Sequence, residues 1–278
     1  DCHVHVMLVG RRTTAEMMSV PLSYRFFEAA RNLAVTLDTG ITTARDAAGA
    51  DLGLQSAVRD GLLRGPRLKI AIGMISQTGG HADDMQPCGV RAAVRMPPYP
   101  GMPATVADGP SEIRKVVREV ARAGADWIKV AATGGFSSPL DSPLHAHYDD
   151  EELAALRRTA DAVHCPVMAH AQGLDGVKNA VRAGVRSIEH GVWLDDEAIE
   201  LMLAAGTWLV PTLLVPVWAR RVGRGQAKID IDETIAAHAA SFRKAAEAGV
   251  RIAMGTDCGI VTHGENLTEI ELMAAGGL

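Results

Sequence analysis

The chain has 278 residues, 47% of them hydrophobic and 22% charged, with a formal charge of −5 at pH 7. This composition excludes a disordered chain, a collagen-like fibre and a disulfide miniprotein, and the length is ample for a large core. The negative balance removes the electrostatic case for nucleic acid. The four cysteines, Cys2, Cys88, Cys165 and Cys258, are scattered without a CxxC pair and read as reduced thiols of a cytoplasmic protein.

In chain order, short apolar runs alternate with amphipathic ones. Strands are expected at 2–8, 41–45, 68–73, 127–132, 167–171, 187–190, 208–212 and 252–256. Helical patterns fall at 23–40, 51–63, 111–124, 149–163, 173–184, 195–206, 232–249 and 264–276. Gly40, Gly124, Gly184, Gly206 and Gly249 stand where helix C-caps want positive φ. Acidic pairs at Asp149-Asp150, Asp195-Asp196 and Asp232-Glu233 suit helix N-termini. The uncharged run 201–219 is broken by Gly206, Pro211 and Pro216, so it reads as a helix end and a buried strand, not a membrane span. Residues 76–110 form the longest irregular stretch, of a length that is usually functional. The chain opens on Asp1 rather than Met and stops just after its last helical pattern, so it reads as a piece of a longer protein.

Strand–helix alternation requires a parallel sheet covered by helices. Eight strands, each followed by a helix, point to an α/β fold of the (β/α)8 TIM-barrel type, one barrel over 1–278. An open doubly wound sheet is the alternative, although no GxGxxG follows the first strand.

A barrel carries its site at the C-terminal ends of its strands. There the sequence places His3 and His5 on one face of strand 1, Lys129 on strand 4, His170 on strand 5, His190 on strand 6 and Asp257 on strand 8. Each interrupts an apolar strand and would be costly if buried unpaired. Singly, each has a structural reading: a hydrogen-bonded core histidine, an ion-paired lysine, a helix-capping aspartate. Together, four imidazoles and a carboxylate suit Zn²⁺ with a position left open for water.

The ordered segments DCHVH, WIKVAATGG, MAHAQG, SIEHG and MGTD resemble the amidohydrolase superfamily. SQTGGHADD, the Asp108-Gly109-Pro110 turn and HGVWLDDEAIELM followed by LVPT resemble its imidazolonepropionase-like branch, which includes Xaa-Pro dipeptidases and N-acyl-amino-acid hydrolases. The resemblance implies two divalent metal ions, with Zn expected and Mn, Fe or Co open. His3, His5 and Asp257 would hold the first, His170 and His190 the second. Lys129 would bridge both as a CO2-derived carbamate, since an ammonium beside two dications is untenable. Imidazolonepropionase has a mononuclear site without that lysine, so Lys129 leans toward the dipeptidase-like members. The resemblance further implies Asp257 as general base and then acid, and His81 at the substrate carbonyl. Family members add a small β-sandwich from flanking segments, expected to be missing here, and are often homo-oligomers.

The substrate contacts are less determined. Gln172 stands where some dipeptidases carry a carboxylate-gripping Tyr. Arg45 reads either as a carboxylate clamp or as an ion pair inside the barrel. Tyr148 and His263 are further candidates for contact, and Gly134 and Gly135 for close approach of a substrate backbone. His145 and His147 form a second HxH in a Pro-rich loop and read as a decoy. His164 and His238 fall in helical segments as solvent-facing or structural residues. The expected activity is hydrolysis of small amides or dipeptides. The alternatives are a cyclic amide, carbamate or lactone on the same site, or a non-catalytic barrel fragment.

Overall fold

The computed structural model describes residues 1–10, 12–92, 98–136, 138, 140–223 and 229–278. Its elements run α1 (Thr14–Ser19), α2 (Leu22–Asp38), β1 (Thr43–Asp46), α3 (Leu52–Arg59), β2 (Arg67–Ile70), β3 (Met74–Ile75), α4 (Gly109–Arg122), β4 (Ile128–Ala131) and α5 (Asp150–Ala162). They continue through β5 (Val167–Ala171), α6 (Leu174–Arg182), β6 (Ser187–His190), α7 (Asp196–Ala205), β7 (Trp208–Val210), α8 (Leu214–Arg221), α9 (Ile231–Glu247) and α10 (Thr268–Ala275).

All the pairing between these strands is parallel. β1 pairs with β2, and β3 to β7 form one sheet in sequence order. Parallel bridges from Val4 to Asp46 and to Cys258, and from Leu209 to Ile252, join the two sheets into a ring of eight parallel segments. This is the expected barrel. The third segment is broken by Ile72 in the left-handed region, so β2 faces β1 while β3 faces β4.

The expected first and eighth strands shrink to single bridges at Val4, Ile252 and Cys258. A side chain adds hydrogen bonds between them. Asp1 Oδ1 accepts from the backbone N–H of His3 and of Thr256, at 3.1 and 3.2 Å. Its Oδ2 accepts from the Thr256 hydroxyl and the Asn266 amide.

Helix ends follow the local chemistry. Asp149 and Glu152 form a capping box on α5, and Asp195 caps α7. Gly206 ends α7 at φ 65, which a Cβ would resist. Asp232 and Glu233 lie within the first turn of α9, and Asp230 is its cap. Two helices were not anticipated, α1 and α8. Pro216 is tolerated near the start of α8, and buried Glu269 accepts from the N–H groups of Leu213 and Leu214 at 2.8 Å each.

The main core lies between the ring and its helices, with Val130, Ala169, Ile188 and Leu209 packed in one cluster with Ile113, Leu153 and Ile199. Two small clusters, Ala47–Ala71–Met168 and Ala48–Met74–Ala131, draw on segments across the ring and fill its interior. No described helix is long and apolar enough to cross a membrane.

Candidate active site

The parallel ring brings His3, His5, Lys129, His170, His190 and Asp257 to the wall of one cavity of about 110 Å³. All six are buried. His3 Nε2 and His5 Nε2 lie 3.7 and 3.3 Å from Asp257 Oδ1. The His3 and His190 ring centres are 5.0 Å apart, and those of His170 and His190 4.6 Å.

Each imidazole is held from behind. His3 Nδ1 donates to Glu189 Oε2 at 2.6 Å and His5 Nδ1 to the Ala48 carbonyl at 2.8 Å. His170 Nε2 donates to the Gly134 carbonyl at 3.0 Å. His190 Nδ1 lies 2.7 Å from the Thr212 hydroxyl. Burial holds the His3 pKa well below 6.5. Burial and then His170 do the same for His190. Both rings are therefore neutral, as metal ligands must be. The donor set fits a divalent ion: ligand atoms of His3, His190 and Asp257 lie within 4.8 Å of one another. His190, Thr212 and Asp257 all sit at positive φ, a strain of roughly 1–3 kcal/mol each that surrounding contacts must offset.

Of the remaining expected residues, His81 and Gln172 line this cavity. The His81 ring stacks on His170 at 4.2 Å, and its Nδ1 lies 2.6 Å from the Ser138 hydroxyl. Gln172 is buried, and its Oε1 has no protein partner among the described residues. A second cavity of about 300 Å³ adjoins the first, sharing Leu8, His81, Phe136, Val215, Ala219 and Ile260.

Three expected substrate contacts are placed elsewhere. Arg45 donates to Glu189 Oε1 at 2.8 Å, to Ser187 and to the Cys2 carbonyl, and its guanidinium lies 4.4 Å over Trp127. It is the ion pair, not the clamp. Tyr148 turns its hydroxyl into the core, donating to the Ala107 carbonyl at 3.1 Å. His263 bridges Thr36 and the His5 carbonyl and does not line the cavity.

The second HxH also stays outside the cavity, with His145 exposed and His147 buried. His238 is buried rather than solvent-facing, lines the cavity wall and donates from Nε2 to the His190 carbonyl at 2.9 Å. Gly135 makes room for a side chain, not a substrate: a Cβ there would come within 2.2 Å of the His81 ring.

Sequence reasoning missed Glu189, Thr212, Ser138 and the apolar wall formed by Leu8, Phe136, Val215 and Ile260. Glu189 carried a usable signal. It shares the inward face of β6 with Ser187, and an acid on the inward face of an apolar strand needs a partner. The apolar wall carried none, since such residues look like core.

A profile described as the amidohydrolase family matches residues 1–278. The chain is 35% identical to an ochratoxinase of Aspergillus niger over 239 residues, covering 82% of this chain and 50% of that one. It thus spans about half the length of that curated relative. Among solved structures, a prolidase complexed with N-methylphosphonate-L-proline superposes at TM-score 0.89 with 32% identity, covering 100% of this chain and 69% of that one. A Xaa-Pro dipeptidase with bound methionine gives 0.85 with 34% identity, covering 100% and 70%.

Proposed function

The chain belongs to the amidohydrolase family, and on that premise we propose that it hydrolyses the C–N bond of small amides such as Xaa-Pro dipeptides or N-acyl amino acids. The observation that carries this reading is the meeting of four imidazoles, a lysine and a carboxylate, from five strand ends, on one cavity. The similarity to a prolidase, a Xaa-Pro dipeptidase and an ochratoxinase supports it.

In this reading His3, His5 and Asp257 would hold one divalent ion, His170 and His190 a second, and Lys129 would bridge them as a carbamate. Such ions, Zn being the expected pair, lower the pKa of water and polarise an amide carbonyl. The residues of the chain do the rest. Lys129, buried among the histidines, would lose its ammonium proton beside two dications and so become open to CO2. Asp257 takes a proton from the attacking water and returns it to the leaving nitrogen as the C–N bond breaks. His81, held by Ser138, contacts the carbonyl oxygen. Gln172 supplies a hydrogen-bonding amide on the same cavity wall. Four free cysteines suit a reducing, cytoplasmic setting, and a homo-oligomer fits the family.

The test is direct. The Zn-loaded chain is incubated with Xaa-Pro dipeptides and N-acyl amino acids, and release of free amine is followed before and after chelation. Turnover that chelation removes and Zn²⁺ restores is expected. A folded, Zn-loaded chain that cleaves neither class would overturn the proposal.

A further inference from the structure

Of the four strand-end histidines, His3 has a carboxylate behind its ring. His5 and His170 are held by backbone carbonyls and His190 by a hydroxyl. Glu189 is fully buried and its two oxygens are divided between two tasks. Oε2 accepts from His3 Nδ1 at 2.6 Å, and Oε1 accepts from Arg45 Nη2 at 2.8 Å and from the Ser187 hydroxyl at 2.5 Å. Arg45 is itself fixed by the Cys2 carbonyl and by Trp127. Strand 1 and β6 are not neighbours in the ring, so this network crosses the barrel interior.

We propose that Glu189 is a positioning residue of the metal centre: pinned by Arg45 and Ser187, it locks His3 in the Nδ1–H tautomer and aims Nε2 at Asp257. This rests on the metal-centre reading above. The physical grounds are two. A carboxylate accepting the Nδ1 proton raises the basicity of Nε2 as a ligand, as an amide or hydroxyl does only weakly. The paired guanidinium then keeps the carboxylate from being an uncompensated buried charge. Arg45 thereby has its role inside the barrel, away from substrate.

The experiment has two readouts. Two-bond ¹⁵N–¹H correlation of the metal-free chain, with His3 assigned by its loss in His3→Gln, reports the His3 tautomer without any metal. Competition against a Zn²⁺ chelator reports affinity in the wild type, Glu189→Gln and Glu189→Ala. Expected are Nδ1–H at His3 in the wild type and a loss of Zn²⁺ affinity of about 10–100-fold in both variants, larger for Ala. Glu189→Asp should recover part of it. An Nε2–H tautomer in the wild type would overturn the inference, as would a folded Glu189→Gln with unchanged affinity. If the wild type takes up no Zn²⁺, the hydrolase reading fails, and the tautomer still decides the role of Glu189. If the variants do not fold, the wild-type tautomer decides it alone.

Discussion

The floor and the mouth of the cavity are built by different rules. On the floor, His3, His5, His170 and His190 are each tied from behind by a named acceptor or hydroxyl, and His190, Thr212 and Asp257 accept left-handed backbone. At the mouth, Leu8, Phe136, Val215, Ala219 and Ile260 come from loops and from α8 and offer shape alone. His81 and Gln172 add polar groups to this wall, the Gln172 Oε1 without a protein partner among the described residues. The difference separates chemistry from selection. Under the proposed function, the polar floor would set what can be done to a substrate and the apolar mouth which substrate arrives.

That division can be broken or sharpened by substitution. On the floor, Asp257→Asn keeps the volume but removes the proposed proton carrier, and kcat should fall about 10³-fold. A fall under tenfold would remove Asp257 from the acid–base role.

Beside the floor, His147 is buried without touching the cavity, and burial lowers its pKa to about 4. The folded state therefore keeps it neutral while the unfolded chain takes a proton near 6.5. Its contribution is complete above pH 6.5 and is lost as pH falls toward 4. The loss is about 2 kcal/mol by pH 5. Denaturant unfolding at pH 7 and pH 5 should show that much less acid sensitivity in His147→Gln. Equal sensitivity in the two proteins would mean that His147 is charged when folded.

At the mouth, Phe136→Ala should raise KM about tenfold for an apolar amide, through lost burial, with metal content unchanged. A drop in metal content would mean that mouth and floor are one unit. The smallest effect belongs to Tyr148→Phe. It removes the hydrogen bond to Ala107, costs about 1 kcal/mol of stability and leaves KM alone. A KM change of several-fold would restore Tyr148 as a substrate contact.

The same contrast explains what the sequence disclosed. His3, Lys129, His170 and His190 stood out because they interrupt apolar strands, and the parallel ring has to gather strand ends at one place. Val167–Ala171 and Ser187–His190 match their expected spans, while strands 1 and 8 are reduced to bridges, with Asp1 adding side-chain hydrogen bonds to the His3 and Thr256 N–H groups. Glu189 was overlooked beside His190, though period-2 alternation places it inward. Arg45, Tyr148 and His263 were candidates for substrate contact by residue type and by position at a strand end or in the loops beyond, Arg45 with an ion pair as its alternative. Their direction depends on partners distant in the chain, namely Glu189, Ala107 and Thr36. Phe136 and Ile260 could not be told from core residues, since burial in a cavity wall and burial in a core use the same side chains.

The central claim is a two-ion floor bridged by Lys129. The measurement that tests it most directly is metal per chain by elemental mass spectrometry, after expression with Zn²⁺ and bicarbonate, in the wild type and in Lys129→Ala. The account predicts about two ions per wild-type chain and a loss of at least one in the variant. One ion per wild-type chain, or an unchanged count in folded Lys129→Ala, would contradict it.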